Sequence, residues 1–478
     1  MDQRILDNFL SLTRIPRKSH HEEAVSRFLY QWALEKGLSA CRDQAGNVIV
    51  DKPASPGCEN APRTILQGHM DMVCVAEPGR DYDPLCDPIR VINNGETLTA
   101  DGTSLGADDG AGVALAMTIL EDPDAVHGPI RGIFTVDEED GMAGATALDG
   151  AHLDAGYLIN LDWEEFGSLC CSSAGSDMYS FRRDADWSSA EGLHAYALTL
   201  TGFEGGHSGA QIHLGRANAI RVAARILRAA ANAGCSLRLA SFQGGSAHNA
   251  IPSHAEAVVC LSPEQEDAFL AAARAETDLQ LELCGATDPG AVVTLLKTDA
   301  ASRALSAEMS RDVLDILTSV HDGVFTMSPA IEGLVESSAN TGLCRLSETA
   351  FTFMVHQRSS QAEITHRMKA DYLRLAGEFG FAMEVISSSP AWPVKPGSEL
   401  VEICRKCFRG LTGREIRVEP IHAGLECGAF AEKNPALDII SIGPELRDIH
   451  SPKETLVLAS LDECDGLVRA VLKDIAGK

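Results

Sequence analysis

A chain of 478 residues is too long for one core and implies two or three domains, while 45% hydrophobic and 23% charged residues are ordinary values for a globular protein. The net charge of −28, from 40 basic and 68 acidic residues, argues against nucleic acid and anionic membranes as partners. No run of about 18 apolar residues occurs, so no membrane span is expected.

The amino-terminal MDQRILDNFLSLTRIP lacks the basic start and apolar middle of a signal peptide. It reads as an amphipathic helix with Ile5, Phe9 and Leu12 on one face, and a cytoplasmic location is the default expectation. The 14 cysteines follow no framework spacing and are expected to be reduced. Cys404 and Cys407 form a CxxC inside the helical stretch ELVEICRKCFRG, with no second pair, and read as helix residues rather than a zinc or redox site. Cys170 and Cys171 read as packing residues.

TILQG, IRGIFTV and AGYLINL are apolar runs of strand length, and GAGVALAMTILED between them is a helix. This alternation predicts an α/β fold with a mostly parallel central sheet and flanking helices. In such sheets ligand groups gather on loops at the carboxyl ends of strands. His69, Asp71, Glu138, Glu139 and Asp162 all lie where a strand pattern stops.

The texture changes near residue 185. LHAYALTLTGF and HAEAVVCLS alternate like half-exposed strands, each followed by a helical segment, and TAFTFMVHQRSS with ITHRMKADYLRLAGEFGF repeats the theme. Two strand-and-helix halves, read as a duplicated unit, would make an inserted α+β domain. SSSPAWPVKPGSEL then resembles a linker, after which the α/β texture returns. The expected organisation is a catalytic domain over residues 1–184 and 397–478, split by an insertion over 185–396.

His69 and Asp71 are two apart, so on extended backbone both point to one side. A lone histidine is usually a satisfied core residue, but here further acids sit at neighbouring strand ends. TSLGADDGAGVALA places Asp108 and Asp109 before a helix, where capping alone is the competing explanation. FTVDEEDGMAGA carries four consecutive acids, Asp137 to Asp140, which in most loops would be solvated. LINLDWEE ends in Asp162, and GPELRDIHSPKE carries His450. Two histidines with several carboxylates suit a borderline divalent ion such as zinc, and one bridging carboxylate would let the set hold two. Of two adjacent glutamates, one can bind metal while the other moves a proton. Asp71 then accepts the second ring N–H of His69 and fixes its tautomer.

The ordered motifs GHMDMV, LGADDGAG, DEEDGMAGA, LDWEE and DIHSPKE resemble the cytosolic aminoacyl-histidine dipeptidases (Xaa-His dipeptidase, peptidase D, carnosinase type) of the di-zinc peptidase and deacylase clan, over essentially the whole chain. The resemblance implies His69 and Asp162 on one zinc, Glu139 and His450 on the other, and Asp108 bridging both, with a cis peptide after it. Glu138 becomes the general base and Asp71 the acid that orients His69. The inserted segment corresponds to a lid and dimerisation domain. There His207, in GGHSG, would stabilise the developing oxyanion in its own or a partner's active site, although the stretch alone is also a glycine turn. Asn249 and Arg358 correspond to substrate-binding positions, and Gly424 to a close backbone approach; a surface ion pair is the competing reading for Arg358, and His248 and His356 have weaker claims.

The resemblance therefore implies a cytoplasmic, homodimeric dipeptidase with two divalent ions per chain, zinc first and manganese or cobalt next. Its substrate class would be unblocked dipeptides such as β-alanyl-histidine. A di-zinc amidohydrolase acting on N-acyl amino acids is the alternative, separated by whether a free substrate amino group helps or hurts. A non-catalytic binding protein on the same fold is a third reading.

Overall fold

The structure, a computed structural model, describes residues 2–329, 331 and 333–477. It divides into two units: Met1–Ser173, Pro390–Ile421 and Leu425–Lys478 form the first, and Ala174–Ser389 with His422–Gly424 the second. The strand Gly175–Asp184, which precedes the expected boundary at residue 185, pairs within the second unit, with Ala350–Ser359 and Ala382–Ser389. Among the described residues no helix is long and apolar enough to cross a membrane.

The first unit is built on an eight-stranded sheet in the order Ser39–Arg42, Val48–Lys52, Ile130–Thr135, Thr64–His69, Tyr157–Asn160, Asp438–Ser441, Ser168–Ser173 and Arg417–Ile421. The four central strands, from Ile130–Thr135 to Asp438–Ser441, run parallel, and antiparallel pairings enter on both sides of them. Neighbouring residues on a strand serve opposite faces. Leu66, Phe134, Ile159 and Ile440 join one core, with the helices Gln3–Leu12, Ala107–Glu121 and Leu458–Ala476. Ile65, Ile133, Leu158 and Ile439 join the other, with Trp392 and Phe430. Burial on both faces explains why these strands read as unbroken apolar runs instead of alternating ones.

The second unit holds a nine-stranded antiparallel sheet. Its first half runs strand, helix, strand, strand, helix, strand through His194–Thr201, Ala219–Asn232, Arg238–Gly244, Ala255–Leu261, Glu266–Cys284 and Val292–Thr298. Gly175–Asp184, Ala307–Ser319, Val335–Leu346, Ala350–Ser359, Ala362–Glu378 and Ala382–Ser389 repeat that succession. Numbered within each half, both have the strand order 4-1-3-2, and strand 2 of one meets strand 2 of the other at Gln243↔Arg345 and Gly244↔Cys344. The first half is nested between the first strand and first helix of the second. The apolar alternation of the strands and the amphipathic helices together close one continuous core, in which Phe181 and Phe353 stack with centroids 4.4 Å apart and planes 9° from parallel.

Phe353→Ala leaves a cavity in this core and is expected to destabilise the protein by about 3–5 kcal/mol, read as a lower urea midpoint.

Candidate active site and metal centre

The strand Thr64–His69 is buried along its whole length and delivers His69 at its carboxyl end. Gly68 is required there because a Cβ would collide with Asp109 Oδ2. That oxygen instead accepts the His69 backbone N–H at 3.2 Å. The other oxygen, Oδ1, accepts from Gly112 N at 3.1 Å, inside the helix Ala107–Glu121. The two adjacent acids therefore divide: Asp109 accepts backbone N–H groups, and Asp108 faces His69 and His450. The peptide joining them is cis.

Asp71 is fully buried. Its Oδ1 lies 3.3 Å from His69 Nδ1 and accepts Glu138 N at 3.0 Å. Its Oδ2 accepts Ser19 Oγ at 2.8 Å and Glu139 N at 3.3 Å. Burial opposes its charge, but His69, the Glu138 amide and Ser19 hold its pKa down at about 2. One carboxylate thus faces the His69 ring and anchors the loop carrying both glutamates. Within that loop Asp137 is buried and has a positive φ, whereas Asp140 is exposed and meets His20 Nε2 at 2.7 Å. The four acids are not one solvated cluster.

Two sets of potential ligands converge. His69, Asp108 and Asp162 form one, and Asp108, Glu139 and His450 the other; within each set the ligand atoms lie within 4.8 Å of one another. His69 Nε2 is 3.0 Å from Asp108 Oδ1 and 3.4 Å from Asp162 Oδ1. His450 Nε2 is 3.1 Å from Asp108 Oδ2 and 3.0 Å from Glu139 Oε2. Bonds of about 2.0–2.2 Å in a tetrahedral zinc site put ligand atoms roughly 3.3 Å apart, so both sets fit such an ion. Asp108 gives one oxygen to each set, the arrangement a bridging carboxylate needs.

The electrostatics are those of crowded acids. Burial raises the pKa of Asp162 well above the usual carboxylate range, with Asp108 and Asp109 adding to it against His69. Glu138 is likewise pushed well up, by burial and by Asp162, Glu139 and Glu426, with His69 opposing. For His69, burial disfavours the charged ring, but Asp162, Asp108 and Asp71 outweigh it and raise its pKa. Glu138 belongs to neither ligand set, although its neighbour Glu139 does.

Several residues around the centre carry no motif signal. Arg17 is buried and donates through Nη1 to Met70 O at 3.0 Å and Asp71 O at 2.8 Å, and through Nη2 to Gly106 O. Glu454 accepts the backbone N–H groups of Leu105, Gly106, Ala107 and Asp108. Glu426 is fully buried, bonded to Gln67 Nε2 at 2.6 Å and Thr135 Oγ1 at 2.7 Å, and burial raises its pKa to about 7. Glu454 closes the DIHSPKE motif but has no ligand role in the resemblance, and nothing in the sequence around Glu426 marks it as buried. Arg17 offers only an arginine between apolar neighbours.

The remaining expected residues, His207, Asn249, Arg358 and Gly424, belong to the second unit. The His207 ring accepts at Nδ1 from Gly209 N at 3.2 Å and Ala210 N at 2.9 Å. An acceptor Nδ1 places the ring proton on Nε2, so a neutral His207 is a hydrogen-bond donor there. The pairing His207↔Ala250 and the bond from Ser208 N to Asn249 O, 2.8 Å, bring Asn249 beside this loop. A Cβ on Gly209 would lie 2.7 Å from His422 O and 3.0 Å from both Arg358 Nε and His207 Cε1, so glycine lets these three approach. Arg358 is 6% exposed, its Nε has no hydrogen-bond partner, and among the described residues no carboxylate forms an ion pair with it. It is not a surface ion pair. Burial, with Arg358, His248 and His207 nearby, depresses His356 to about 2; burial and Arg358 take His422 to about 3. His422 Nε2 bonds Ser338 Oγ at 2.7 Å. His422 was not anticipated.

Residues 65–474 match the model of Peptidase family M20/M25/M40. The chain is 34% identical over 482 aligned residues to the cytosol non-specific dipeptidase of Escherichia coli (strain K12), covering 100% of this chain and 98% of that one. Its structure is similar to the crystal structure of aminoacylhistidine dipeptidase from Vibrio alginolyticus, with a TM-score of 0.89 and 33% identity over 99% of this chain and 96% of the other. Aminopeptidase PepT from Bacillus cereus, 17% identical with a TM-score of 0.57, shares the fold.

The buried neutral histidines predict a pH dependence. An unfolded His422 protonates below about 6.5, while the folded one stays neutral down to about 3, so the unfolded state binds more protons in that window and stability falls as pH drops through it. By pH 4 this single residue is expected to remove ~3 kcal/mol. His422→Gln, which can keep a bond to Ser338, should lose that share of the difference between urea midpoints at pH 7 and pH 4.

Proposed function

This chain belongs to Peptidase family M20/M25/M40, and from that premise we propose that it is a metal-dependent dipeptidase acting on unblocked dipeptides, Xaa-His such as β-alanyl-histidine among them. The reading is supported most by one feature: two His and carboxylate sets share Asp108, next to a glutamate that neither set uses. His69, Asp108 and Asp162 would hold one divalent ion, and Asp108, Glu139 and His450 the other. Zinc suits the mixed donors best, with manganese or cobalt as substitutes. Such a pair supplies Lewis acidity to the scissile carbonyl and makes a neighbouring water acidic enough to attack at neutral pH.

The residues of the chain do the rest. Glu138 accepts a proton from water as the water oxygen bonds to the carbonyl carbon, and returns it to the departing amine as the C–N bond breaks. Glu138 is free for that transfer because neither ligand set uses it. Asp71 keeps the His69 ring and the Glu138 backbone in one geometry. His207 would donate a hydrogen bond from its Nε2–H, in its own or a partner's active site, to the carbonyl oxygen as negative charge develops there. Arg358, a buried guanidinium with no carboxylate partner of its own among the described residues, receives the substrate carboxylate, with Asn249 and the Gly424 backbone completing the contacts. The reading extends to a homodimer in the cytoplasm, the compartment named for the Escherichia coli relative.

The decisive experiment is hydrolysis of β-alanyl-histidine and other dipeptides by metal-stripped protein, before and after addition of zinc. Zinc-restored cleavage is expected, and N-acetylated dipeptides should be poorer substrates; preference for the acetylated compounds would assign deacylation instead. Glu138→Gln is expected to lower kcat by about 10²–10⁴-fold with metal content unchanged by elemental analysis. Arg358→Ala should raise KM for substrates with a free carboxylate while sparing amidated ones, and an unmoved KM would remove Arg358 from the pocket.

A further inference from the structure

Resting on the two-ion reading above, we propose that Glu454 and Arg17 are positioning residues for the metal centre, clamping the Leu105–Asp108 loop from its two sides so that Asp108 presents one oxygen to each ion. Four successive backbone N–H groups converge on one carboxylate. Glu454 Oε2 accepts from Leu105 at 2.7 Å and Gly106 at 2.9 Å, and Oε1 from Ala107 at 2.7 Å and Asp108 at 3.2 Å. The Gly106 carbonyl faces the other way and accepts from Arg17. The turn is possible because Gly106 has φ +69°, and a Cβ there would stand 2.5 Å from Arg17 Nη2 and 2.6 Å from Met72 Sδ.

Neither clamp residue touches this loop alone. Arg17 simultaneously holds the carbonyls of Met70 and Asp71, immediately beyond His69. Glu454 follows His450 by four residues, and its own N–H bonds Ser451 O at 3.2 Å, so it fixes the His450 turn to the Asp108 turn. Both side chains are 2% exposed. Ligand segments that are distant in sequence, 69–71, 105–108 and 450–454, are thereby locked through two buried ionic groups bonded to backbone. Charge-assisted bonds to backbone are stiffer than contacts between side chains, and displacing a bridging carboxylate by a fraction of an ångström changes both sites at once. Because Glu454 joins Asp108 to His450, its removal should be felt most at the ion held by Glu139 and His450.

The test is a Co²⁺ titration of the metal-free full-length protein, followed by visible absorption of the bound ion. Wild type should take up two equivalents; a single equivalent or none would defeat the two-ion reading itself, independently of the clamp. Glu454→Gln keeps the shape but turns an N–H₂ towards backbone donors, and is expected to weaken the second equivalent by about tenfold or more with an altered absorption band. Asp438→Asn is the control. Its carboxylate is buried at the opposite, amino end of the sheet, where it receives Ser398 Oγ at 2.6 Å and Glu399 N at 2.9 Å. It should lower unfolding stability without changing either equivalent. Wild-type affinity and spectrum in Glu454→Gln, or an equal loss in Asp438→Asn, would overturn the proposal. If Glu454→Gln does not fold, Arg17→Lys decides by the same titration: weakened cobalt binding supports the clamp, and unchanged binding sinks it.

Discussion

Everything at the centre of the first unit answers to one electrostatic constraint: carboxylates crowd around the imidazoles of His69, at the buried end of a parallel strand, and of His450, on a more exposed loop. Left to themselves, such groups push one another towards protonation, because burial and like charge both disfavour the ionised form. The directions of the shifts follow this logic residue by residue. Asp108, bonded to both His450 and His69, is driven far down despite its burial. Asp162, Asp109 and Glu138, none of them bonded to two imidazoles, are driven up. A pocket of this composition is complementary to divalent cations, which alone can compensate several carboxylates at once without filling the space with side chains.

A scaffold for such a pocket has to supply donors that add no mobile charge of their own. It does so with backbone. Asp71 is held by the amides of Glu138 and Glu139, and Glu454 by the amides of residues 105 to 108. Parallel strands make this possible, since their carboxyl ends bring several loops to one edge with their N–H groups unused by the sheet. The glycines at 68 and 106 belong to the same solution. Each stands where a side chain would collide with an acid or a guanidinium that must lie against backbone.

The legible part of this arrangement was the part written in short motifs and periodicities. Buried strands read as apolar runs, and the helix Gln3–Leu12 buries the expected Ile5, Phe9 and Leu12. His69, Glu139 and Asp162 stand where strand patterns stop, whereas Asp108, before a helix, and His450 join them only through the family resemblance; the structure brings all five into two groups. Even the repeated texture of the insertion has a physical counterpart, two halves of identical strand order. What stayed hidden is what acts through backbone across long separations. Arg17 meets Gly106 and Glu454 meets Leu105, and nothing local at residue 17 or 454 announces a partner so far away. Likewise the strand Gly175–Asp184 precedes the change of texture near residue 185, and its place in the second sheet is set by partners far along the chain.

The second unit solves a different electrostatic problem with the same economy. Its cation, Arg358, is surrounded by groups that stay neutral: His356 and His422 are kept uncharged by burial first and by the guanidinium second. Protonating either would place like charges together, so the neutrality of the histidines and the charge of the arginine enforce each other. The His207 ring lies close by, its Nδ1 accepting from the backbone amides of Gly209 and Ala210. Arg358 is thus the charge against which His356 and His422 both stay neutral. A guanidinium buried without a carboxylate partner among the described residues is open to an anion, just as the crowded acids of the first unit are open to cations.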